Sequence, residues 1–311
     1  MKTESIRDAY GEELAKLGEE NHRLVVLEAD VGSSTKSAMF GKQFPERYFN
    51  MGISELNMVN TAAGLAAEGL IPFVNTFAVF LASRASDPVQ SLIAYDRLNV
   101  KLAGAYSGLS DSYDGASHHS ITDLAFMRAL PGMLVVSVCD GEETRKAVAA
   151  LAEYEGPAYL RLSRAESPQI FGPDYEFCLG KGVVLEQGND VTIFSTGTMA
   201  ARCMEAAGLL RSQGISAAVI HIHTVKPLDE ELIVHWAKQT GSAVTVEEHS
   251  IWGGFGGAIA EVLGKRCPVP IEIIGLDRFA ESGGYHQLLD RYGFKPEQIA
   301  KACKRVMKRK Q

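Results

Sequence analysis

Short apolar runs recur along the chain, each followed by a small polar loop and then an amphipathic stretch. Residues 5–21 place Ile6, Tyr10, Leu14 and Leu17 at helical spacing. The run Leu24-Val25-Val26-Leu27 suits a strand buried on both faces, and it empties into Glu28-Ala29-Asp30-Val31-Gly32-Ser33-Ser34-Thr35. A short aromatic strand pattern ends at Tyr48-Phe49, and an Ala/Gly-rich helix pattern follows over 59–67. The same logic predicts strands at 70–76, 100–104, 133–138 and 158–162, with helices over 79–95, 121–128 and 142–154. Between them, residues 105–120 form a polar loop too long for a simple connector.

A second series begins at Val191-Thr192-Ile193-Phe194-Ser195. It continues with strands at 216–220, 243–247 and 271–275 and helices over 199–213, 229–239, 256–263, 285–292 and 296–307. Residues 165–188 lack periodicity and carry Pro168, Pro173 and several glycines, so they read as a linker. The expected organisation is two open α/β domains, 1–165 and 189–311, joined by 166–188. Ligands of parallel sheets sit outside the carboxyl ends of the strands. That rule gathers Asp30, Glu55, Thr76-Phe77, the loop 106–119 and Arg164 at one edge of the first sheet.

The 311 residues are 46% hydrophobic and 22% charged, ordinary for a globular chain, and no internal repeat is visible. A net charge of −7 gives no basic surface to recruit nucleic acid or an acidic membrane, and the basic tail over 301–310 reads as a solvated last helix. Without a signal pattern or a long apolar run, a cytoplasmic setting is expected. Five widely spaced cysteines with no Cys-x-x-Cys fit reduced thiols, and no metal site is expected in this chain.

Candidate chemistry centres on Glu55. It opens a helix pattern with no basic residue within six positions on either side. One reading is a partner for the helix dipole; the other is a carboxyl group deliberately desolvated at a strand end. Phe77 and Phe80 stand at i, i+3, as core aromatics or as a stacking platform. In Ser110-Asp111-Ser112-Tyr113-Asp114-Gly115-Ala116-Ser117-His118-His119, Asp114 and His118 suit hydrogen bonding to a hydroxylated ligand better than metal binding. Gly253-Gly254-Phe255-Gly256-Gly257 falls too late in its domain for a dinucleotide loop and reads as a turn and a close-packed helix start.

Taken in order, Gly52-Ile53-Ser54-Glu55, Thr76-Phe77-x-x-Phe80, Asp114-Gly115-x-Ser117-His118 and Leu162-Ser163-Arg164 resemble the motifs of transketolases. Their spacing is similar to the pyrimidine-binding domain of that thiamine diphosphate family. Val246-Glu247-Glu248-His249 with Gly253-Gly254-Phe255-Gly256 resembles the family's C-terminal domain, so the likeness spans essentially the whole chain. It implies a thiamine-diphosphate-enzyme pyrimidine-binding domain followed by a transketolase C-terminal-like domain. It further implies that Glu55 hydrogen-bonds N1′ of the cofactor's aminopyrimidine, that Phe77 and Phe80 line its pocket, and that Asp30 lies near it. Arg7, Ser34 and Arg164 match residues holding a sugar phosphate, and Asp114 and His118 match residues contacting sugar hydroxyls or the attacked carbonyl. Two positions depart from the pattern: Tyr106 stands where many transketolases have a histidine, and Ser83 where an aromatic often borders the pyrimidine.

The domain that binds the diphosphate through Mg²⁺ or another divalent ion is marked by Gly-Asp-Gly and a later Asn, and that motif is absent. The resemblance therefore implies the C-terminal subunit of a split transketolase. Its partner would be an N-terminal subunit carrying the missing domain, in an α2β2 heterotetramer built on a dimer of this chain. The expected reaction is transfer of a two-carbon ketol unit between sugar phosphates. Alternatives are the β subunit of a 2-oxoacid dehydrogenase E1 component, a relative of deoxyxylulose phosphate synthase, and a non-catalytic regulatory paralogue.

Overall fold

The computed structural model describes residues 2–310. Among the described residues there are fourteen strands: β1 (Thr3–Ser5), β2 (Leu24–Glu28), β3 (Tyr48–Asn50), β4 (Ile71–Phe77), β5 (Lys101–Ala105), β6 (Leu134–Ser137), β7 (Ala158–Arg161), β8 (Glu166–Pro168), β9 (Val183–Glu186), β10 (Val191–Ser195), β11 (Ala217–His221), β12 (Thr224–Lys226), β13 (Ala243–Ser250) and β14 (Ile271–Leu276). The first sheet runs β3-β2-β4-β5-β7-β6, all parallel, with β12 added antiparallel beside β6. The second runs β14-β13-β10-β11 in parallel, edged by antiparallel β9. Every residue of β2 and β5 is buried, as continuous apolar strands covered by helices on both faces must be.

Strand order positions the site. From β2 the chain moves outward to β3 and then returns to the other side of β2 as β4, so a crevice opens at the carboxyl ends of β2 and β4. The helix Glu55–Ala67 starts beside that crevice, and the helix Ile6–Glu20 delivers Arg7 to it from the first turn. Ser5 caps the latter helix, its hydroxyl accepting from the amide of Asp8 at 3.2 Å.

Three departures from the sequence expectation bear on how the halves and the site are arranged. The single helix expected over 79–95 is broken into Ala78–Ser83, Ser86–Pro88 and a π-type turn, Val89–Ala94. Pro88 has no N–H to donate back to the preceding turn, and the wider π spacing follows it. The stretch expected as a linker contains β8, which pairs with β1, and β9, which edges the second sheet. Strand β12 was not predicted at all. It leaves the second half to complete the first sheet, a long-range pairing that local periodicity does not carry.

Further ties join the halves. The Arg161 guanidinium donates to the Glu248 carbonyl at 2.9 Å, and the Ala125 amide donates to His249 Nε2 at 3.3 Å. Among the described residues, no helix is long and apolar enough to cross a membrane.

Candidate active site at the carboxyl edge of the first sheet

Glu55 is the first residue of its helix and is 5% exposed. Its sequence neighbours carry no positive charge, yet it is not without a cation. Arg84 Nη1, from the turn after the helix Ala78–Ser83, donates to Glu55 Oε1 at 3.2 Å. The same guanidinium lies over Phe80, its carbon 3.8 Å from the ring centroid. Phe80 stacks on Phe77 at 5.9 Å, and Phe77 stacks on Tyr106 at 4.2 Å. A carboxylate, a cation and three aromatic rings thus form one continuous band along the strand ends.

The band ends in two arginines. Tyr106 follows β5 with a positive φ of 60°, a conformation that costs a non-glycine residue about 1–3 kcal/mol. Its ring has the Arg7 guanidinium 5.0 Å from its centroid and that of Arg164 at 5.1 Å. Arg7 Nη1 donates to the Tyr106 hydroxyl at 3.0 Å and to the Ser34 carbonyl at 2.6 Å. Ser34 therefore meets Arg7 through its backbone. Arg164 Nη1 donates to the Asp111 carbonyl at 3.1 Å and lies 3.3 Å from Asp111 Oδ1. Burial and the neighbouring Asp114 carboxylate push the Asp111 carboxyl up to about 7, with Arg164 opposing.

His118 stands edge-on to Phe80, with centroids 5.4 Å apart, and its Nδ1 lies 3.0 Å from the Ser117 hydroxyl. Asp114 is exposed on a short 3₁₀ turn, Ser112–Asp114, beside Asp111. Asp30, exposed at φ 60°, is held by the Asn50 side chain, whose amide donates to its Oδ1 at 3.0 Å. Ser83 turns back on its own helix, donating to the Val79 carbonyl at 2.6 Å. The fold thus brings together Glu55, Phe77, Phe80, His118, Arg7 and Arg164, and leaves Asp30 at the rim of the crevice.

Sequence reasoning passed over Arg84 and Asp111. Arg84 is remote from Glu55 in sequence, and Asp111 is one acid in a polar loop, so neither carries a local signal. One trace remains in the hydrogen bonding. Among the described residues, five of the eight buried side-chain atoms without a partner belong to this edge: Arg7 Nε, Thr76 Oγ1, Asp111 Oδ2, His119 Nδ1 and Ser120 Oγ; the other three, His221 Nδ1, Ser242 Oγ and Thr245 Oγ1, lie in the second half. Each such atom costs about 1–3 kcal/mol, and a cluster of them marks a place built for something other than stability.

The second half supports the loop that carries Asp114 and His118. Glu248 accepts from the Leu109 amide at 2.5 Å and from the Tyr285 hydroxyl at 2.7 Å, and burial pushes its carboxyl up. Gly108, at φ 62°, lies so close that a Cβ there would strike the Glu248 carboxylate. Glu247 instead accepts the amides of Phe255 and Gly256 at 2.6 and 2.7 Å, and a Cβ at Gly254 would meet its carboxylate. The glycine-rich stretch is thereby a helix start closed by a buried acid.

A second polar cluster lies where the halves meet beyond β6. Glu143 accepts from the Cys139 amide at 2.8 Å and the Tyr175 hydroxyl at 3.1 Å, and pairs with His221 Nε2 at 3.0 Å. Cys139, Glu143 and His221 offer ligand atoms within 4.8 Å of one another. Both Glu143 oxygens are already engaged, so the cluster as it stands is an internal hydrogen-bond knot.

Comparison with known proteins identifies what the chain as a whole is similar to. The family profile described as "Transketolase, pyrimidine binding domain" matches residues 2–169, and "Transketolase, C-terminal domain" matches residues 180–299. A 6-deoxy-6-sulfo-D-fructose transketolase subunit of a Clostridium strain is 40% identical, the match covering 98% of this chain and 95% of that protein. An apulose-4-phosphate transketolase subunit of Phocaeicola vulgatus is 36% identical, the match covering 97% of each chain. The solved structure "Split gene transketolase, inactive beta4 tetramer" is 44% identical, with a TM-score of 0.91 over 99% of both chains.

Proposed function

Because the chain belongs to the transketolase family, with its pyrimidine-binding and C-terminal domains, we propose that it is the C-terminal subunit of a two-chain, thiamine-diphosphate-dependent transketolase. It moves a two-carbon ketol unit between sugar phosphates, and it works only with an N-terminal subunit that carries the diphosphate-binding domain. That subunit also holds most of the Mg²⁺ or other divalent ion, within an α2β2 heterotetramer. Near full-length likeness to proteins named as transketolase subunits supports the split arrangement. The domain limits at 165 and 189 are part of the same reading.

The single observation that carries the cofactor assignment is the Glu55–Arg84–Phe80 arrangement. A planar, N–H-donating cation lies on Phe80 and hydrogen-bonds Glu55. An aminopyrimidine is also planar, and its ring nitrogen can share a proton with a carboxyl group, so the residues fit it. Thiamine diphosphate, when bound, supplies the nucleophilic carbon and the electron sink of the reaction.

This chain's own residues bind, orient and hold a proton. Glu55 keeps a carboxyl group at the helix start, out of water, where it would hydrogen-bond the pyrimidine ring nitrogen N1′ and share its proton with it. Phe77 and Phe80 give the ring a stacking surface, each contact adding about 0.5–1.5 kcal/mol. Asp30 stands at the rim near the cofactor. His118, oriented by Ser117, and Asp114 hydrogen-bond the sugar's hydroxyls and carbonyl. Arg7 and Arg164, with Ser34 between the first helix and the strand end, hold the terminal phosphate, which suits guanidinium forks.

The test is reconstitution with the N-terminal subunit, followed by Glu55→Ala. Turnover should drop by about 10²-fold or more while the complex still assembles. Retained turnover in that variant would remove the assignment.

A further inference from the structure

Asp111 is used by neither the motifs nor the mechanism above, and it sits where its charge matters most. It is fully buried at the base of the loop after β5. Its Oδ1 and its carbonyl both engage Arg164 Nη1, at 3.3 and 3.1 Å, while Oδ2 is buried with no partner. Two guanidiniums flank the Tyr106 ring at nearly equal distance, yet only Arg164 has a carboxylate against it. Arg7 instead spends its donors on a carbonyl and a hydroxyl. Asp111 therefore decides whether the pair offers two positive charges or a net of one.

We propose that Asp111 is a proton-linked positioning residue of the anion clamp. With its proton on, it leaves Arg164's charge free for the terminal phosphate of the sugar; with its proton off, it neutralises Arg164 and weakens that grip. This inference rests on reading Arg7 and Arg164 as phosphate ligands.

Charged and titratable groups stand near Asp111 on several elements. From its own loop come the Asp114 carboxylate, the His118 and His119 imidazoles and the Tyr113 phenol. His119 is tied through Nε2 to the Ser112 carbonyl at 3.1 Å, and burial pushes it down. From the end of β7 comes Arg164, and across Tyr106 comes Arg7. From the second half, the Gly283 amide reaches the Ser112 carbonyl at 3.4 Å, and Glu248 holds Leu109. Arg164 is the cation in contact, and it is 40% exposed, which weakens its hold on the carboxylate. A carboxyl so placed takes up its proton near neutrality, and a phosphate dianion arriving at Arg164 favours that uptake further.

The experiment uses the reconstituted two-chain enzyme and a ketose with and without its terminal phosphate, from pH 6 to 8.5. From the low to the high end of this range, KM for the phosphorylated sugar should rise by about tenfold more in the native enzyme than in Asp111→Asn, the effect of one charge at this distance. KM for the unphosphorylated sugar should not separate the two enzymes. Calorimetry in buffers of different ionisation enthalpy should show proton uptake when the phosphorylated sugar binds the native complex, and this readout needs no variant to fold. Equal pH slopes in the native enzyme and Asp111→Asn, or no proton uptake, would overturn the proposal. Arg164→Ala separates the two claims: if it impairs both sugars alike, the clamp itself is wrong and this inference goes with it. If it impairs the phosphorylated sugar selectively while Asp111→Asn changes nothing, Asp111 alone is misassigned.

Discussion

A carboxylate buried at a strand end needs a partner, and Glu55 finds one in Arg84, 29 residues further on. The pairing leaves Glu55 anchored before any ligand arrives, and Arg84, half-exposed over Phe80, can leave without opening the core. Glu55→Gln keeps the shape and removes the exchangeable proton. Steady-state rates of the reconstituted enzyme should fall about 10²-fold or more, with cofactor affinity by titration changing far less. Asp111 bears on stability as well as on binding. Its folded-state pKa, near 7, lies above the ordinary carboxylate value, so the folded form keeps a proton that the unfolded chain releases. That contribution is whole at low pH and is lost as pH rises through about 7. Urea unfolding of the native chain and Asp111→Asn should show the native advantage shrinking over this window, by about 1.4 kcal/mol per pH unit where this group titrates alone.

At the scale of elements, the loop 105–120 is held in place by long-range contacts. Tyr106 and Gly108 take left-handed φ values at its base, and Glu248 from β13 grips the Leu109 amide. Gly108→Ala meets both obstacles at once, the φ of 62° and the carboxylate against the new methyl. Unfolding by denaturant should show a loss of about 1–3 kcal/mol, and hydrogen exchange should place the loosening in this loop. Much of this level was legible beforehand. Continuous apolar runs gave the strands, and Ser5 and Asp140 cap helices where the pattern began them. The helix expected over 79–95 failed because periodicity counts apolar positions and does not register one missing N–H at Pro88.

At the scale of the whole molecule, the seam between the halves carries buried titratable groups. Burial pushes His223 and His249 down to about 4. Burial raises Glu143, but His221 and His223 in their protonated forms more than offset it and leave its carboxyl at about 2. Neutral buried histidines stabilise the fold above the ordinary histidine range, and this is lost as pH falls toward 4; the Glu143 contribution follows at still lower pH. Stability from urea unfolding should therefore drop between about pH 6.5 and 4, by about 3 kcal/mol for each histidine. His223→Gln should flatten its share of that slope. The seam should open first, visible as early exchange of the β12 amides against β6.

The sequence by itself determined the two open α/β domains and the edge at which Glu55, Phe77, Phe80, His118 and Arg164 meet. Apolar runs and strand-end loops are local properties, and the carboxyl-end rule converts them into a place. Only the tertiary structure decided what those residues touch. Arg84 against Glu55, Asp111 against Arg164 and β12 against β6 all join segments that are separate in the chain or turned by a loop's backbone. Charge pairing and strand pairing act through space, so the partners that set a buried group's protonation are fixed only once the sheet has brought its ends together.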